Sequence, residues 1–225
     1  NDKIAVAEKY LKDHYQTDYY NKVVESNKYE VQKAKADYDK KLKELEKEHK
    51  DILSGLSDKE EIKRSYLKMI SIAHHTIYLE TPYFIPDKSF IDALLIAKSS
   101  GVDINLVIPG VPDKKTVYHV TYSYLEELLK AGINVYLYPG FIHSKMVVCD
   151  DRVASIGTAN LDVRSFSMNF EVTALMFGKK EVIETIQIAV NDISKSHKLT
   201  YLEYKNRPKK DKIQEHLFRL CAPLM

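Results

Sequence analysis

The pattern of hydrophobic and polar positions changes character near residue 55. Residues 1–50 are rich in Lys, Glu and Tyr, contain neither Pro nor Gly, and are predicted to be helical. Apolar positions recur there with heptad spacing, at Val31, Lys35, Tyr38, Leu42, Leu45, His49 and Ile52. Two of these seven positions are polar, so the pattern favours an amphipathic helix lying on the main domain, with a dimerisation helix as the alternative.

Beyond Ser54-Gly55 the pattern is that of alternating helices and strands. Helices are predicted at 58–74, capped by Ser57 or Asp58, at 87–99, capped by Asp87 or Ser89, and at 114–131, 180–196 and 209–221. Strands are predicted at 76–80, 104–108, 134–138, 144–149, 152–156 and 170–177. Strands separated by helices of this length indicate right-handed βαβ units, and the short later connections indicate a mixed sheet.

Composition narrows the function classes. Lys and Arg number 34 against 32 Asp and Glu, and a net charge of +2 is too small to argue by itself for a nucleic-acid binder. The two cysteines, Cys149 and Cys221, fit no zinc or haem spacing, and we expect a reduced protein with Cys149 as a small core residue. No signal peptide and no membrane-spanning run is recognised. The chain begins with Asn, which suggests part of a longer protein.

Polar side chains with fixed spacing mark one segment, which runs from His143 to Glu171. On a strand, side chains two residues apart share a face, so His143 and Lys145 are expected to project into one pocket. Thr158 and Asn160 repeat that spacing. A fixed ammonium together with a hydroxyl and an amide is suited to holding the oxygens of a phosphodiester.

Roles follow from this chemistry. His143 is either the nucleophile that takes the phosphoryl group or the acid that protonates the leaving alkoxide, and Glu171 can hold its second nitrogen. Lys145, Thr158 and Asn160 are expected to bind the phosphate. Asp150 is grouped with the catalytic residues, although an Asp after an apolar strand is commonly a turn residue and a framework role is favoured. No metal or other cofactor is required, because protein groups meet the phosphate charge.

These residues resemble the His-x-Lys-x4-Asp signature of the phospholipase D superfamily, with Thr158 where many members have Ser. The resemblance continues in 78–87 (YLETPYFIPD), 121–129 (TYSYLEELL) and 157–171 (GTANLDVRSFSMNFE), which look like the second half of a bacterial cardiolipin synthase. It covers about residues 58–225. Asp162, Arg164 and Ser165 also match the family pattern, without an individual role that the sequence can assign.

The resemblance implies an α/β fold with a mixed, mostly parallel, phospholipase D-like sheet flanked by helices. Residues 1–56 would be a helical extension or linker, and 57–225 a catalytic half-domain with one motif. It also implies phosphatidyl transfer, in which a histidine attacks one phosphatidylglycerol, glycerol leaves, and a second phosphatidylglycerol accepts the phosphatidyl group. A bacterial membrane, at its cytoplasmic face, would be the location.

Family members carry two such motifs that face each other, whereas this sequence contains one. This half-domain is therefore expected to need a second half that carries another motif. That half would come either from a missing N-terminal part of the protein or from a second copy in a homodimer. His119 could line the approach to the site, but an exposed helical position is favoured. Two alternatives to the synthase remain open. One is a homodimeric phosphodiesterase or nuclease, and the other is an incomplete lipid-binding protein that uses the 205–212 lysine cluster and the 217–225 tail.

Overall fold

The computed structural model describes residues 60–220, with the backbone alone at residue 216. In the N-terminal part it describes residues 25–26, 28–30, 32–33, 36–37, 40 and 43, all of them helical and exposed. The chain divides into two units, 1–53 and 54–225. The heptad positions from Val31 to Ile52 and the predicted capping residues Ser57 and Asp58 lie outside the described residues.

Helices and strands alternate through the first half of the second unit and give way to short strands in the second half. The helices are α1 Glu61–Ser71, α2 Lys88–Ser99, α3 Lys115–Lys130, α4 Val163–Ser167, α5 Lys179–Lys195, α6 Tyr201–Asn206 and α7 Lys209–Arg219. The strands are β1 Thr76–Glu80, β2 Phe84–Ile85, β3 Asp103–Pro109, β4 Asn134–Tyr138, β5 Met146–Cys149, β6 Val153–Gly157, β7 Leu161–Asp162, β8 Thr173–Met176 and β9 His197–Leu199.

Seven of the described strands form one sheet in the order β8-β6-β5-β1-β3-β4-β9. The centre, β1-β3-β4, is parallel and is built by two βαβ units through α2 and α3. The outer pairs are antiparallel, so β1, β3, β4 and β6 run in one direction and β5, β8 and β9 in the other. This arrangement confirms the predicted α/β class with a mixed sheet and flanking helices. A separate two-stranded sheet joins β2 to β7.

The two faces of the sheet carry different cores. On one face, Tyr66 of α1, Phe90 of α2 and Leu125 of α3 belong to the main core, together with Val147 of β5. On the other face, Val182 and Ala189 of α5 pack against Met146, Val148 and Ala154. Because neighbouring residues of a strand point to opposite faces, Val147 and Val148 fix which face each residue of β5 occupies.

Helix α2 begins where the sequence predicts. Asp87 is its N-cap, and its carboxylate accepts the Phe90 N–H at 3.0 Å. The same carboxylate forms an ion pair with Lys63 of α1. Burial raises the pKa of Asp87, but the Lys63 ammonium and the Phe90 N–H outweigh burial and leave that pKa below its usual value. The cap therefore also ties α2 to α1.

The later strands are shorter than predicted. The strand expected at 144–149 begins at Met146, because its neighbour β1 ends at Glu80, the residue opposite Met146. The chain then turns, and the Thr81 hydroxyl donates to the Tyr83 carbonyl at 2.7 Å. The strand expected at 170–177 is Thr173–Met176. Five short elements have no counterpart among the predicted helices and strands, and these are β2, β7, α4, β9 and α6.

Among the described helices, none combines the length and the apolar character that a membrane span needs.

Candidate active site

Three connecting segments meet beyond the C-terminal ends of strands β1, β3 and β6. They are residues 141–145 before β5, residues 158–160 after β6, and residues 168–172 before β8. Backbone hydrogen bonds join them, because the Gly157 N–H donates to the Lys145 carbonyl at 3.2 Å and the Thr158 N–H to the Val172 carbonyl at 2.9 Å. The antiparallel pairing of β5, β6 and β8 thus gathers the predicted residues, Asp150 excepted, at one place.

His143 is exposed and lies in the loop before β5 rather than on a strand, which corrects the prediction. Its ring packs against Phe141, with 5.5 Å between ring centroids. Among the described residues no hydrogen bond joins the imidazole to Glu171, the partner expected to orient it. The imidazole is therefore accessible to a substrate, and its orientation comes from the loop and from Phe141.

Lys145 is buried, with 9% of its surface exposed, at the same loop. Its ammonium donates to the His143 carbonyl at 2.9 Å. Burial lowers the pKa of Lys145, while Glu171 and Asp162 act in the opposite direction without restoring its usual value. The side chain supplies a positive charge that is held in place and poorly hydrated, which suits binding of a phosphate oxygen.

Ser165 connects the rest of the site, a role that the sequence did not reveal. Its hydroxyl accepts the Asn160 N–H at 3.1 Å and donates to Glu171 Oε1 at 3.2 Å. The Asn169 side-chain amide donates to the same carboxylate oxygen at 3.2 Å. Glu171 is thus held by two hydrogen bonds beside Lys145, and Ser165 is itself buried. A hydroxyl inside a five-residue helix gives no periodic signal by which sequence reasoning could have found it.

Asp162 caps α4, and its carboxylate accepts the Ser165 N–H at 2.7 Å. Burial raises the pKa of Asp162 above its usual value, and the hydrogen bonds from Ser165 and from the Asn160 amide only partly offset this. The Asn160 Oδ1 is buried and has no hydrogen-bond partner among the described residues. Asn160 lies in the loop after β6, and its predicted role in binding phosphate stays a prediction.

Thr158 is exposed, and its hydroxyl is engaged with the backbone of the neighbouring segment. It accepts the Val172 N–H at 2.9 Å and donates to the Val172 carbonyl at 3.4 Å. This residue fixes residues 158–160 against the segment that carries Glu171. Its predicted role as a phosphate donor stays a prediction.

Asp150 lies away from the other predicted residues, at the opposite end of β5 from Lys145. A four-residue strand spans roughly 13 Å, so the carboxylate is remote from His143. It accepts three backbone N–H groups, from His74 at 2.9 Å, His75 at 2.8 Å and Thr76 at 2.9 Å. Burial raises the pKa of Asp150, but these hydrogen bonds outweigh it and leave that pKa below its usual value. The position supports the framework role rather than the catalytic grouping.

Two further expectations concern single residues. Cys149 is buried in the core as predicted, and burial raises the pKa of its thiol to about 12. His119 is half-buried on α3 rather than exposed, and its ring stacks on Phe218 with 5.9 Å between centroids. Its place beside α7 corrects the expectation of a free surface histidine.

The geometry agrees with what comparisons with known proteins find. The family described as "Cardiolipin synthase, PLD-like domain" matches residues 66–193, more than half of the chain. The chain belongs to this family. The match includes the whole segment from His143 to Glu171, so the predicted phospholipase D resemblance is confirmed.

Curated members of this family are close in sequence. The chain is 49% identical over 170 residues to the major cardiolipin synthase ClsA of Bacillus subtilis, covering 75% of this chain and 35% of that protein. It is 46% identical over 171 residues to cardiolipin synthase 1 of Staphylococcus aureus strain COL, covering 75% and 34% respectively. The chain thus spans about a third of the length of the relatives it matches.

Solved structures confirm the fold. Phosphatidylserine synthase of Haemophilus influenzae superposes with a TM-score of 0.60 at 16% identity, covering 73% of this chain and 42% of that one. The phospholipase D family member Nuc of Salmonella typhimurium superposes with a TM-score of 0.53 at 18% identity, covering 61% and 90%. At such identities the likeness concerns the phospholipase D-like fold of this cardiolipin synthase family domain and no more.

Proposed function

We propose that this domain catalyses phosphatidyl transfer as the second-motif half of a cardiolipin synthase, joining two phosphatidylglycerols with release of glycerol. One observation carries the proposal. The imidazole of His143 is exposed, and the ammonium of Lys145, two residues later, is buried, donates to the His143 carbonyl and is acted on by the Glu171 carboxylate. A nucleophile or acid next to a fixed positive charge is the equipment that attack on a phosphodiester requires.

The transfer divides into two steps. A histidine nitrogen attacks the phosphorus of the first phosphatidylglycerol, the bond to the headgroup glycerol breaks, and an acid protonates the glycerol oxygen as it leaves. A hydroxyl of the second phosphatidylglycerol then gives its proton to a base and attacks the phosphohistidine. The histidine is released, and one cardiolipin and one glycerol have formed. His143 serves as nucleophile or as acid, and Lys145 neutralises the phosphate oxygens in both steps.

A second histidine must divide these duties with His143. We propose that it comes from another motif-bearing half, either a further part of the same protein or a second copy. The exposed position of His143 supports this proposal, since the imidazole is open to a facing group. The substrate resides in a bilayer, so the site would act at a membrane surface, at the cytoplasmic face. Nucleic acid is disfavoured by the net charge of +2.

Product analysis tests the proposal. The full protein that contains this domain is incubated with vesicles of pure phosphatidylglycerol, and the lipids and free glycerol are quantified by mass spectrometry. The expected result is cardiolipin and glycerol in equal amounts. Phosphatidic acid with glycerol and no cardiolipin would show hydrolysis instead of transfer and would overturn the proposal. If the second histidine comes from a second copy, specific activity should rise with protein concentration over the range in which dimers form.

A further inference from the structure

Helix α7 exposes a stripe of large apolar side chains to solvent. Its inner side packs on α3 and buries Glu215, which pairs with Arg207. Ile213, Leu217 and the C-cap Leu220 follow one another at intervals of four and three residues, so they share one side of the helix. They are 69%, 61% and 79% exposed, respectively. A surface helix normally turns such a stripe to the core, and a contiguous apolar stripe left outside is typical of a surface that binds a partner.

Two lysines border this stripe. At about 3.6 residues per turn, Lys209 and Lys210 fall on its two sides, one on each. Both are exposed, and neither forms an ion pair within the part of the chain that the structure describes. The acids of the helix lie elsewhere, because Asp211 is half-buried and Glu215 is buried. The outer face of α7 is therefore apolar at its centre and positively charged at its margins, and it consists of Lys209, Lys210, Ile213, Leu217 and Leu220.

Helix α7 is attached to the part of the domain that borders the candidate site. Phe218, which is half-buried, packs in a small cluster with Ile85 of β2. Ile85 pairs with Asp162 of β7. The Asp162 carboxylate in turn accepts the N–H of Ser165, whose hydroxyl donates to Glu171. The helix is thus joined through the small β2-β7 sheet to the residues that build the site.

We propose that the outer face of α7 docks on an anionic bilayer and holds the candidate site at the membrane surface. An apolar stripe between lysines suits a helix that lies in the plane of the interface, with apolar side chains among the acyl chains and ammonium groups at the anionic headgroups. The lysines favour a bilayer over a second protein surface, because Lys is depleted in protein interfaces. The consequence for transfer rests on the proposed function, whereas docking itself does not.

Co-sedimentation of the 225-residue chain with vesicles tests the inference without turnover. The vesicles contain equal parts of phosphatidylserine and phosphatidylcholine, so their surface is anionic and carries no headgroup glycerol. The wild-type chain should bind them about tenfold or more tightly than vesicles of pure phosphatidylcholine. K209Q/K210Q should lose about fivefold in affinity for each lysine removed. I213E/L217E should lose about tenfold or more, because two carboxylates cannot enter the acyl region.

A matched control and a second measurement come from an exposed residue elsewhere. Ile96 of α2 is 67% exposed, and I96E should bind the vesicles as the wild type does. The chain contains no Trp, so the fluorescence of L217W reports from the stripe alone. Its emission should shift to the blue when the anionic vesicles are added, and the emission of I96W should not shift.

The outcomes separate docking on a bilayer from other roles of the stripe. Melting temperatures report whether each variant is folded, and K209Q/K210Q together with L217W decides the matter if I213E/L217E is not. Unchanged binding of folded I213E/L217E, or an L217W emission that the vesicles do not shift, would overturn the inference and indicate that a protein surface covers the stripe. An equal loss of binding in I96E would also overturn it. Failure to form cardiolipin would refute the proposed function and leave this experiment unaffected.

Discussion

The Ser165 hydroxyl donates a hydrogen bond to Glu171 Oε1 at 3.2 Å and accepts the Asn160 N–H at 3.1 Å. One buried side chain thus joins the segment after β6 to the segment before β8. The Glu171 carboxylate near Lys145 accepts this bond and a second one from the Asn169 side-chain amide. Ser165 therefore links two of the three segments that form the site.

Replacing Ser165 should therefore impair both stability and activity. S165A leaves the partly buried Asn160 N–H without its acceptor and Glu171 with one hydrogen bond fewer, at a cost of about 1–2 kcal/mol in the free energy of unfolding. The transfer rate should fall about tenfold, corresponding to about 1.4 kcal/mol in the barrier. S167A on the same helix is the matched control, because its hydroxyl bonds only the Val163 carbonyl. Equal kcat values in the two variants would refute the role of Ser165.

Asp150 should matter for stability and should do so in a pH-dependent way. D150A leaves three backbone N–H groups without their acceptor and should cost about 2–4 kcal/mol, measured by urea unfolding at pH 7. D150N should cost less, because Asn tolerates the φ of 54° at this position and keeps one acceptor oxygen.

The pH dependence of this stability difference follows from the direction in which folding shifts the pKa of Asp150. Its pKa is lower in the folded state than the usual 3.8, so its contribution is complete above that value and is lost as the pH falls through the folded pKa. The stability difference between wild type and D150N should therefore shrink in acid. A difference that stays constant from pH 7 to below the folded pKa would contradict this account.

Replacing Lys145 should weaken phosphate binding without lowering the stability of the domain. K145M removes a buried charge and keeps the length of the side chain, so the melting temperature should stay equal or rise. Affinity for inorganic phosphate, followed by 31P NMR, should fall about tenfold or more because the charge-assisted contact is lost. A lower melting temperature with unchanged phosphate affinity would make Lys145 a structural residue.

The C-terminal helices should depend on one buried ion pair. The Arg207 guanidinium donates to both carboxylate oxygens of Glu215 and stacks on Tyr204, and the Glu215 side chain is 2% exposed. E215A leaves a buried guanidinium unpaired and should cost about 3–5 kcal/mol in thermal unfolding. E184A breaks an exposed pair with Lys180 and should cost less than about 1 kcal/mol. A similar cost for both would contradict the buried pair's role.

Sequence reasoning located the long elements well and the short ones poorly. The helix at 87–99 was recognised because Asp87 caps it and apolar residues recur with helical spacing. Helix α4 and strand β9, with five and three residues, are too short for a periodic pattern and depend on tertiary contacts. The strand predicted at 144–149 is two residues longer than β5. The start of β5 is set by the end of its neighbour β1, and the residues of β5 themselves do not reveal where β1 ends.

The candidate site likewise combines features that the sequence reveals with features that depend on tertiary contacts. The spacing of His143, Lys145 and Glu171 identified the chemistry, and the sheet brings these residues to one edge. The bond expected between His143 and Glu171 is absent from the described site, and Ser165 takes the position of partner to Glu171. Glu80 looked like the end of an ordinary strand, since burial of its carboxyl depends on α5, about a hundred residues later.

His143 is the centre of the account, and one comparison tests it most directly. Cardiolipin formed from phosphatidylglycerol vesicles is measured for wild type, H143A and H197A. His197 lies on β9, the last strand of the sheet and four strands away from β5, in an exposed pair with Glu203. H143A should reduce the rate about 10⁴-fold or more with an unchanged melting temperature, as expected for loss of a nucleophile or acid, and H197A should keep the wild-type rate. A folded H143A that still forms cardiolipin at the wild-type rate would contradict the account.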